Sequence, residues 1–340
     1  MNASFSPRNE PLQERAGAPI GNSLSHLLYQ EDKLRYWSAD RSAYVIYATI
    51  AGKRVVLGDP VGKEANARAV LREFLSLSAA SGRDCLFYHI GENVAGVLRE
   101  FGFQTMKTGE EASVDLPGFH TNGKEWLKLR TRKNKLEREG YRCEVHLPPH
   151  ADAMLAEVKS VSDAWLGKKR EKSFSVGSYS ETYVAAHPIA TLRSPDGELL
   201  AFLTLAEYER PEGDRRLAID LMRYKEGSPS GAMEVLFVCA LSWGQSRGYA
   251  ACSLGVSPLA NACERPLWMK LARAAASRYY NFNGLRHFKA KFRPTWEDRF
   301  LAYPGRTPLF AIALLALLVH RRRGGRTDVS GAAAAVRSTN

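Results

Sequence analysis

Residues 217–223 read LAIDLMR, residues 224–230 YKEGSPS and residues 232–246 AMEVLFVCALSWGQS. The first run is apolar and β-rich apart from Asp220 and the closing Arg223, so it predicts a strand. The second is rich in Gly, Ser and Pro and predicts a loop. The third has the length and apolarity of a buried helix. A strand feeding a helix through a short loop is a unit of α/β folds, and backbone N–H groups and the helix dipole make that loop a natural anion site. Asp220 lies inside the apolar run, where a carboxylate needs a partner. Three residues apart, Asp220 and Arg223 point to opposite faces of a regular strand unless it ends or bulges between them.

The same order of elements extends outward. Residues 190–192 and 199–208 predict strands around the turn Ser194-Pro195-Asp196-Gly197. Residues 251–254 predict another strand and 266–278 a helix. In the first half, residues 44–50 and 54–57 flank Ala51-Gly52-Lys53 as a hairpin. A loop at 58–62, a helix at 64–80, a strand at 85–90 and a helix at 93–101 follow, the last stopping at Gly102. The halves share this order without clear identity, a weak repeat that fits two α/β modules with mixed sheets. Between them, residues 124–139 hold seven basic and three acidic side chains, with Trp126, Leu129 and Leu136 on one helical face. Residues 150–165 predict a second amphipathic helix. The expected division is a disordered arm (1–30), a first module (31–120), a basic linker helix (121–149), a second module with the site (150–305), and an apolar and basic C-terminal segment with a flexible tail (306–340).

With 340 residues, 45% hydrophobic and 25% charged, the composition is that of a globular chain of about two domains. It excludes a mostly disordered, collagen-like or disulfide-knotted protein. The net charge is 48 − 36 = +12, which fits either a polyanionic partner or a solvated basic surface. The five cysteines are widely spaced, with no C-x-x-C pair, and read as free thiols in a reducing, cytoplasmic compartment. No metal site is expected: Pro148 and Pro149 keep His146 and His150 off a common helical face. Residues 309–319 (LFAIALLALLV) have roughly half the length of a membrane span, with Arg321-Arg322-Arg323 close behind. They fit a core helix or an interfacial anchor on anionic lipid.

The element order resembles tandem modules of the GNAT acyltransferase type, which hold the pyrophosphate of coenzyme A at the strand–loop–helix junction. Gln245, Gly248 and Ala250 match the spacing of that family's phosphate loop, but they follow a helix and precede a strand, so they read as a helix stop. The junction at 227–233 lacks the pattern, which favours a different acyl donor. Several segments together resemble one family: Arg130-Thr131-Arg132-Lys133-Asn134 with Arg138-Glu139-Gly140; Trp165, Lys168 and Glu171; Phe174-Ser175-Val176-Gly177; Asp220 through Arg223; and Gly231 through Glu234. Further along come Ser253-Leu254-Gly255 with Pro258-Leu259, Tyr280-Asn281-Phe282 with Gly284-Leu285-Arg286, and Phe288-Lys289-Ala290-Lys291-Phe292 with Pro294 and Trp296. The chain is similar here to the soluble catalytic domain of the phosphatidylglycerol lysyltransferase family, across about residues 36–303.

That resemblance implies a tandem GNAT-like α/β fold and transfer of an aminoacyl group from aminoacyl-tRNA to a glycerol hydroxyl of phosphatidylglycerol. It implies no cofactor, an anionic membrane surface as partner, and a peripheral position at the inner face of the cell membrane. Many members carry a polytopic membrane domain ahead of this part, so the chain is expected to be a stand-alone soluble member or an excised domain. Two other readings stay open: aminoacyl transfer to a peptidoglycan precursor or other acceptor, and a non-catalytic RNA- or lipid-binding module.

Exchange of one ester for another needs positioning and oxyanion stabilisation but no energy input. Asp220 is the candidate for the donor ammonium group, and Arg223 for a phosphate or the ester carbonyl. Lys289 and Lys291 alternate with Phe288, Ala290 and Phe292 as a period-2 strand, with both lysines on one face. Lys289 is the candidate to polarise the oxyanion or the acceptor hydroxyl, and Lys291 lines the substrate site. Lys168, Glu171, Ser175 and Gly231 complete the substrate set by resemblance. The competing reading for residues 168–172 is a solvated charge run. Arg130, Arg132, Lys133 and Lys135 are the candidates for tRNA or lipid phosphates, set against a solvated helix with Glu–Lys pairs.

Overall fold

Ala51 and Gly52 take φ of 47° and 74°, the paired left-handed geometry whose twist suits a two-residue hairpin. They join β2 (Tyr44–Ile50) to β3 (Lys53–Leu57), with Tyr47 opposite Val56. The computed structural model describes residues 20–30, 32–258 and 282–320. The helix expected at 266–278 and Cys263 lie outside them.

The remaining elements follow in chain order. β1 (Leu34–Trp37) precedes the hairpin; α1 (Glu64–Ala80), β4 (Cys85–Ile90), α2 (Glu92–Glu100) and β5 (Gln104–Asp115) follow it. The basic segment is α3 (Leu127–Arg138), which buries Leu129 and Leu136 after a short 3-10 turn holding Trp126. Then come β6 (Arg142–His146), α4 (Asp152–Leu166), α5 (Glu181–Ala185), β7 (Ile189–Arg193), β8 (Leu199–Glu209), β9 (Arg215–Tyr224), α6 (Ala232–Ser246) and β10 (Ala251–Pro258). After the undescribed stretch are α7 (Phe282–Ala290), β11 (Thr295–Tyr303) and α8 (Leu309–Val319).

All described strands form one mixed sheet in the order β1-β2-β3-β4-β11-β5-β10-β9-β8-β7-β6. Only β3–β4 and β9–β10 are parallel, each joined by one helix, α1 or α6. The sheet is therefore pseudo-symmetric about the β5–β11 pair. The last strand of each half lies against the other half: β11 pairs with β4, and β5 with β10. The expected two mixed sheets are continuous through this exchange. Apolar side chains of β8, β9 and β10 bury with α6 on one face, and α4 and α5 cover Ile189, Phe202 and Leu221 on the other. At the far end, α1 and α2 cover one face and α8 the other.

Two expectations need correction. Residues 288–292 are not a strand: α7 runs to Ala290 and a turn follows, so Lys289 and Lys291 diverge. The driving contacts are Phe288 and Phe292, which pack against Phe237 of α6 at ring separations of 5.0 Å each. Residues 20–30, expected in a disordered arm, are structured. Gly21 N donates to Glu209 O at 2.9 Å, and a 3-10 turn (Ser25–Tyr29) buries Leu27 and His26.

Candidate active site at the divergence of two parallel strands

β9 and β10 pair only from Ala251 opposite Arg216 to Ser253 opposite Ala218. Beyond that point β9 continues with β8 alone and β10 with β5 alone, so the sheet opens between Ile219 and Leu254. The β8–β9 register slips between Leu203–Met222 and Leu205–Ile219, a bulge at Asp220 and Leu221. Leu221 N is received by the Thr204 hydroxyl at 3.1 Å. The bulge turns Asp220 and Arg223 to the same face, that of α4 and α5, while Ile219 and Met222 join the α6 side.

Asp220 is enclosed by groups from three separate segments. Tyr183 donates its hydroxyl to Oδ2 at 2.6 Å, Gly177 donates its backbone N–H to Oδ1 at 3.2 Å, and His26 Nε2 lies 3.6 Å from Oδ1. Tyr183 is aimed by α5, whose N-cap Ser180 Oγ accepts from Tyr183 N at 3.3 Å. Position 177 has to be glycine: a Cβ there lies 1.7 Å from Asp220 Oδ2. Burial alone would raise the Asp220 pKa. The His26 imidazole and the Tyr183 hydroxyl outweigh it and hold the carboxyl below its ordinary value. His187 stacks edge-on against Tyr183 at 4.8 Å, and burial pushes its imidazole down to about 3.

Arg223 does not pair with Asp220. Its Nη1 lies 2.8 Å from Glu171 Oε1 and 2.6 Å from Ser162 Oγ, and Nη2 donates to Glu171 Oε2 at 2.8 Å. The guanidinium also stacks 4.9 Å above Trp165, and its side chain is 2% exposed. Glu171 Oε1 accepts from Tyr179 N at 3.2 Å as well. The segment 171–179 is thereby tied down over both β9 residues. Phe174 takes φ of 63°, held by its N–H to Asp32 Oδ2 at 2.7 Å and by complete burial of its ring. Ser175 is half-buried in this segment, whereas Lys168 is exposed on the turn after α4.

Lys289 reaches the opening from α7. Its buried Nζ donates to Val256 O at 3.1 Å and lies 3.6 Å from the place a Gly255 Cβ would take. Burial pushes its ammonium down to about 7, and the Glu111 carboxylate opposes part of that fall. Glu111 is itself held by Arg299 at 2.6 Å and by the Ser253 hydroxyl at 2.5 Å.

At the start of α6, Gly231 takes φ of 92°, and a Cβ there would press on Arg132 Cδ at 3.0 Å. Glu234 Oε1 receives both Arg132 Nη1 and Lys291 Nζ, the latter at 2.8 Å. The anion position at this helix start is thus occupied by the protein's own carboxylate, between two cations. The other basic candidates also have internal partners: Arg130 with Thr121 O at 2.6 Å, Lys133 with Glu137 at 2.6 Å, and Lys135 with Glu139 at 3.7 Å.

The structure thus brings Asp220, Arg223 and Glu171 together, sets Lys289 at the same opening, and gathers Gly231, Arg132 and Lys291 at the α6 start. Sequence reasoning missed His26, Tyr183, Ser162, Glu111 and Arg299. Of these only Tyr183 carried a local signal, as residue N3 of a helix that Ser180 caps.

Comparison with known proteins gives a consistent picture. The family described as phosphatidylglycerol lysyltransferase, C-terminal, matches residues 15–303. The phosphatidylglycerol lysyltransferase of Bacillus subtilis (strain 168) is 39% identical over 314 residues, covering 88% of this chain and 36% of the relative. The chain therefore spans about a third of the length of such relatives. The solved structure of L-PGS from Bacillus licheniformis superposes with a TM-score of 0.79 at 39% identity, over 89% of this chain and 94% of that one. The C-terminal domain of a putative lysylphosphatidylglycerol synthetase from Agrobacterium fabrum gives 0.78 at 30% identity, over the same 89% and 94%.

Proposed function

The chain belongs to the phosphatidylglycerol lysyltransferase C-terminal family, and from that membership we propose that it transfers a lysyl group from lysyl-tRNA to a hydroxyl of phosphatidylglycerol. The observation that carries the proposal is that the Asp220 carboxylate on β9 and the buried Lys289 amine against β10 flank one opening in the sheet. Asp220 receives the α-ammonium group of the donor. The glycerol hydroxyl oxygen attacks the ester carbonyl carbon and passes its proton to the neutral Lys289 amine. The tetrahedral adduct then collapses, the bond to the tRNA ribose oxygen breaks, and that oxygen takes the proton from Lys289. The acyl group has moved from tRNA to lipid, the proton from lipid to tRNA, and Lys289 is neutral again, so no co-reactant is required.

Arg223 acts here as a positioning residue, because its guanidinium is already committed to Glu171 and Ser162. It fixes the loop that presents Gly177 to Asp220. Arg132 and Lys291 flank the phosphodiester of the lipid once Glu234 yields one of them. Arg130, Lys133 and Lys135 meet tRNA phosphates by exchanging their present partners. Among the described residues no helix is long and apolar enough to cross a membrane. A peripheral position at the inner face of the cell membrane is part of the proposal.

The test is transfer of radiolabelled lysine from lysyl-tRNA to phosphatidylglycerol vesicles. Label should move into a base-labile lipid ester, vanish with RNase and fall at least a hundredfold in Asp220→Asn. Label that survives RNase, or an unimpaired Asp220→Asn, overturns the proposal.

A further inference from the structure

Helix α8 is apolar on every side (LFAIALLALLV), yet only one side is covered. Ala311, Leu314, Leu315 and Leu318 are buried with Leu27, Leu57 and Leu301. The opposite stripe carries Leu309, Phe310 and Leu317, which are 62%, 58% and 61% exposed. At 100° per residue these three fall within an arc of about 100°, with Ala313 between them. Eleven residues rise about 16 Å, roughly half of a bilayer core, so this helix can lie in an interface but cannot cross it.

The charge around the stripe identifies what covers it. From 304 to 327 the chain contains five arginines (Arg306, Arg321, Arg322, Arg323 and Arg326) and no Asp or Glu. Cations flanking an exposed apolar stripe in the sequence suit a surface of anionic headgroups over acyl chains. A second copy of the chain would bring like charges together, which disfavours self-pairing through this face.

The helix is also fastened to the loop over the site. Ser173 N donates to Val319 O at 2.9 Å, and Ser173 Oγ donates to Leu318 O at 2.7 Å. These carbonyls end α8, and the segment they receive carries Glu171 on Arg223 and Gly177 on Asp220. Phe174 lies in the same core cluster as the inner face of α8.

We propose that the outward face of α8, with the arginines that flank it in the sequence, seats the protein on an anionic bilayer interface, and that Ser173 couples the seated helix to the loop covering Asp220. The proposal rests on the lipid-acceptor reading above and adds the surface by which the acceptor's membrane is met.

The experiment is co-sedimentation of the full chain with vesicles of phosphatidylglycerol and phosphatidylcholine in equal parts, against phosphatidylcholine alone. The wild-type chain should bind the anionic vesicles and lose binding with added salt. A triple variant, Leu309→Ser, Phe310→Ser and Leu317→Ser, should keep its melting temperature and lose about tenfold or more in vesicle partitioning. A second variant, with Arg321, Arg322 and Arg323 each changed to Gln, keeps the apolar stripe and should lose mainly the salt-sensitive part. Undiminished binding by both variants overturns the proposal. So does a wild-type dimer, abolished in the triple variant, that never binds vesicles. Lysyl transfer by the wild-type chain, measured in parallel, separates the two ideas. Transfer with undiminished variant binding removes the docking face alone; lost variant binding without wild-type transfer removes the activity and leaves the face standing.

Discussion

Replacing Lys289 by Met should stabilise the protein while disabling the reaction, and the size of the gain should depend on pH in a calculable way. The folded amine titrates at about 7, against an unfolded value of 10.5. Between those values the unfolded chain binds one proton more than the folded chain, so wild-type stability rises with pH across this window. At about 1.4 kcal/mol per pH step, the buried amine costs roughly 4 kcal/mol at pH 7 and roughly 2 kcal/mol at pH 9. Methionine fills similar volume and does not titrate, but it leaves Val256 O without its donor, a loss of about 1 kcal/mol at every pH. The variant should therefore exceed wild type by roughly 3 kcal/mol at pH 7 and by roughly 1 kcal/mol at pH 9. Urea unfolding at pH 7, 8 and 9 measures the difference directly. A difference that stays flat across this range means that Lys289 remains charged in the folded state, and the reasoning fails. The same titration governs the reaction: wild-type transfer should rise as pH passes through about 7, and the variant should show no activity to titrate.

Gly177→Ala sets a methyl carbon 1.7 Å from Asp220 Oδ2, so the backbone must retreat and its N–H leaves the carboxylate. That should cost about 1–3 kcal/mol in thermal unfolding and lower kcat at least tenfold; wild-type kcat would show that this loop does not position Asp220. Glu171→Ala strands the Arg223 guanidinium in a site where its side chain is 2% exposed, and should cost about 3–5 kcal/mol by urea midpoint. Pairing Glu171→Leu with Arg223→Met should restore most of that stability without restoring transfer, and recovered transfer would refute a positioning role for the pair.

The sequence was most legible where each element carries its own pattern. The 44–57 hairpin, the helix at 64–80 and the strand–loop–helix around Asp220 each have a local apolar period or turn signal. The two central strands, β5 and β11, were not legible. Their sequences, QTMKTGEEASVD and TWEDRFLAY, are too polar to predict burial. Glu111 is buried there against Arg299, and Glu110 against Arg286 as well as its neighbour Lys107; both arginines come from more than 170 residues away. No window of neighbouring residues contains those two arginines. The Lys289 error has the same origin, since alternating Phe and Lys fits a strand until Phe237 supplies a partner for both aromatic rings. His26 was unreadable for a related reason: the short run LSHLLY (24–29) gives no sign that it will close over a carboxylate on β9.

The strand exchange and the candidate site depend on one another. Where β9 and β10 part, each keeps hydrogen bonds only on its outer side, β9 with β8 and β10 with β5. β10 can leave β9 because β5, arriving from the other half of the chain, supplies the edge it needs. The inner edges then face an opening that side chains must fill, since buried backbone polar groups left unpaired are costly. On the outer side, Thr204 of β8 takes the amide freed at the bulge. Lys289 caps Val256 O on the facing strand. A lysine drawn into that position for its donor is removed from water, and removal from water is what lowers its pKa toward neutrality. The group that helps close the parted sheet is therefore also the one that can accept a proton at physiological pH.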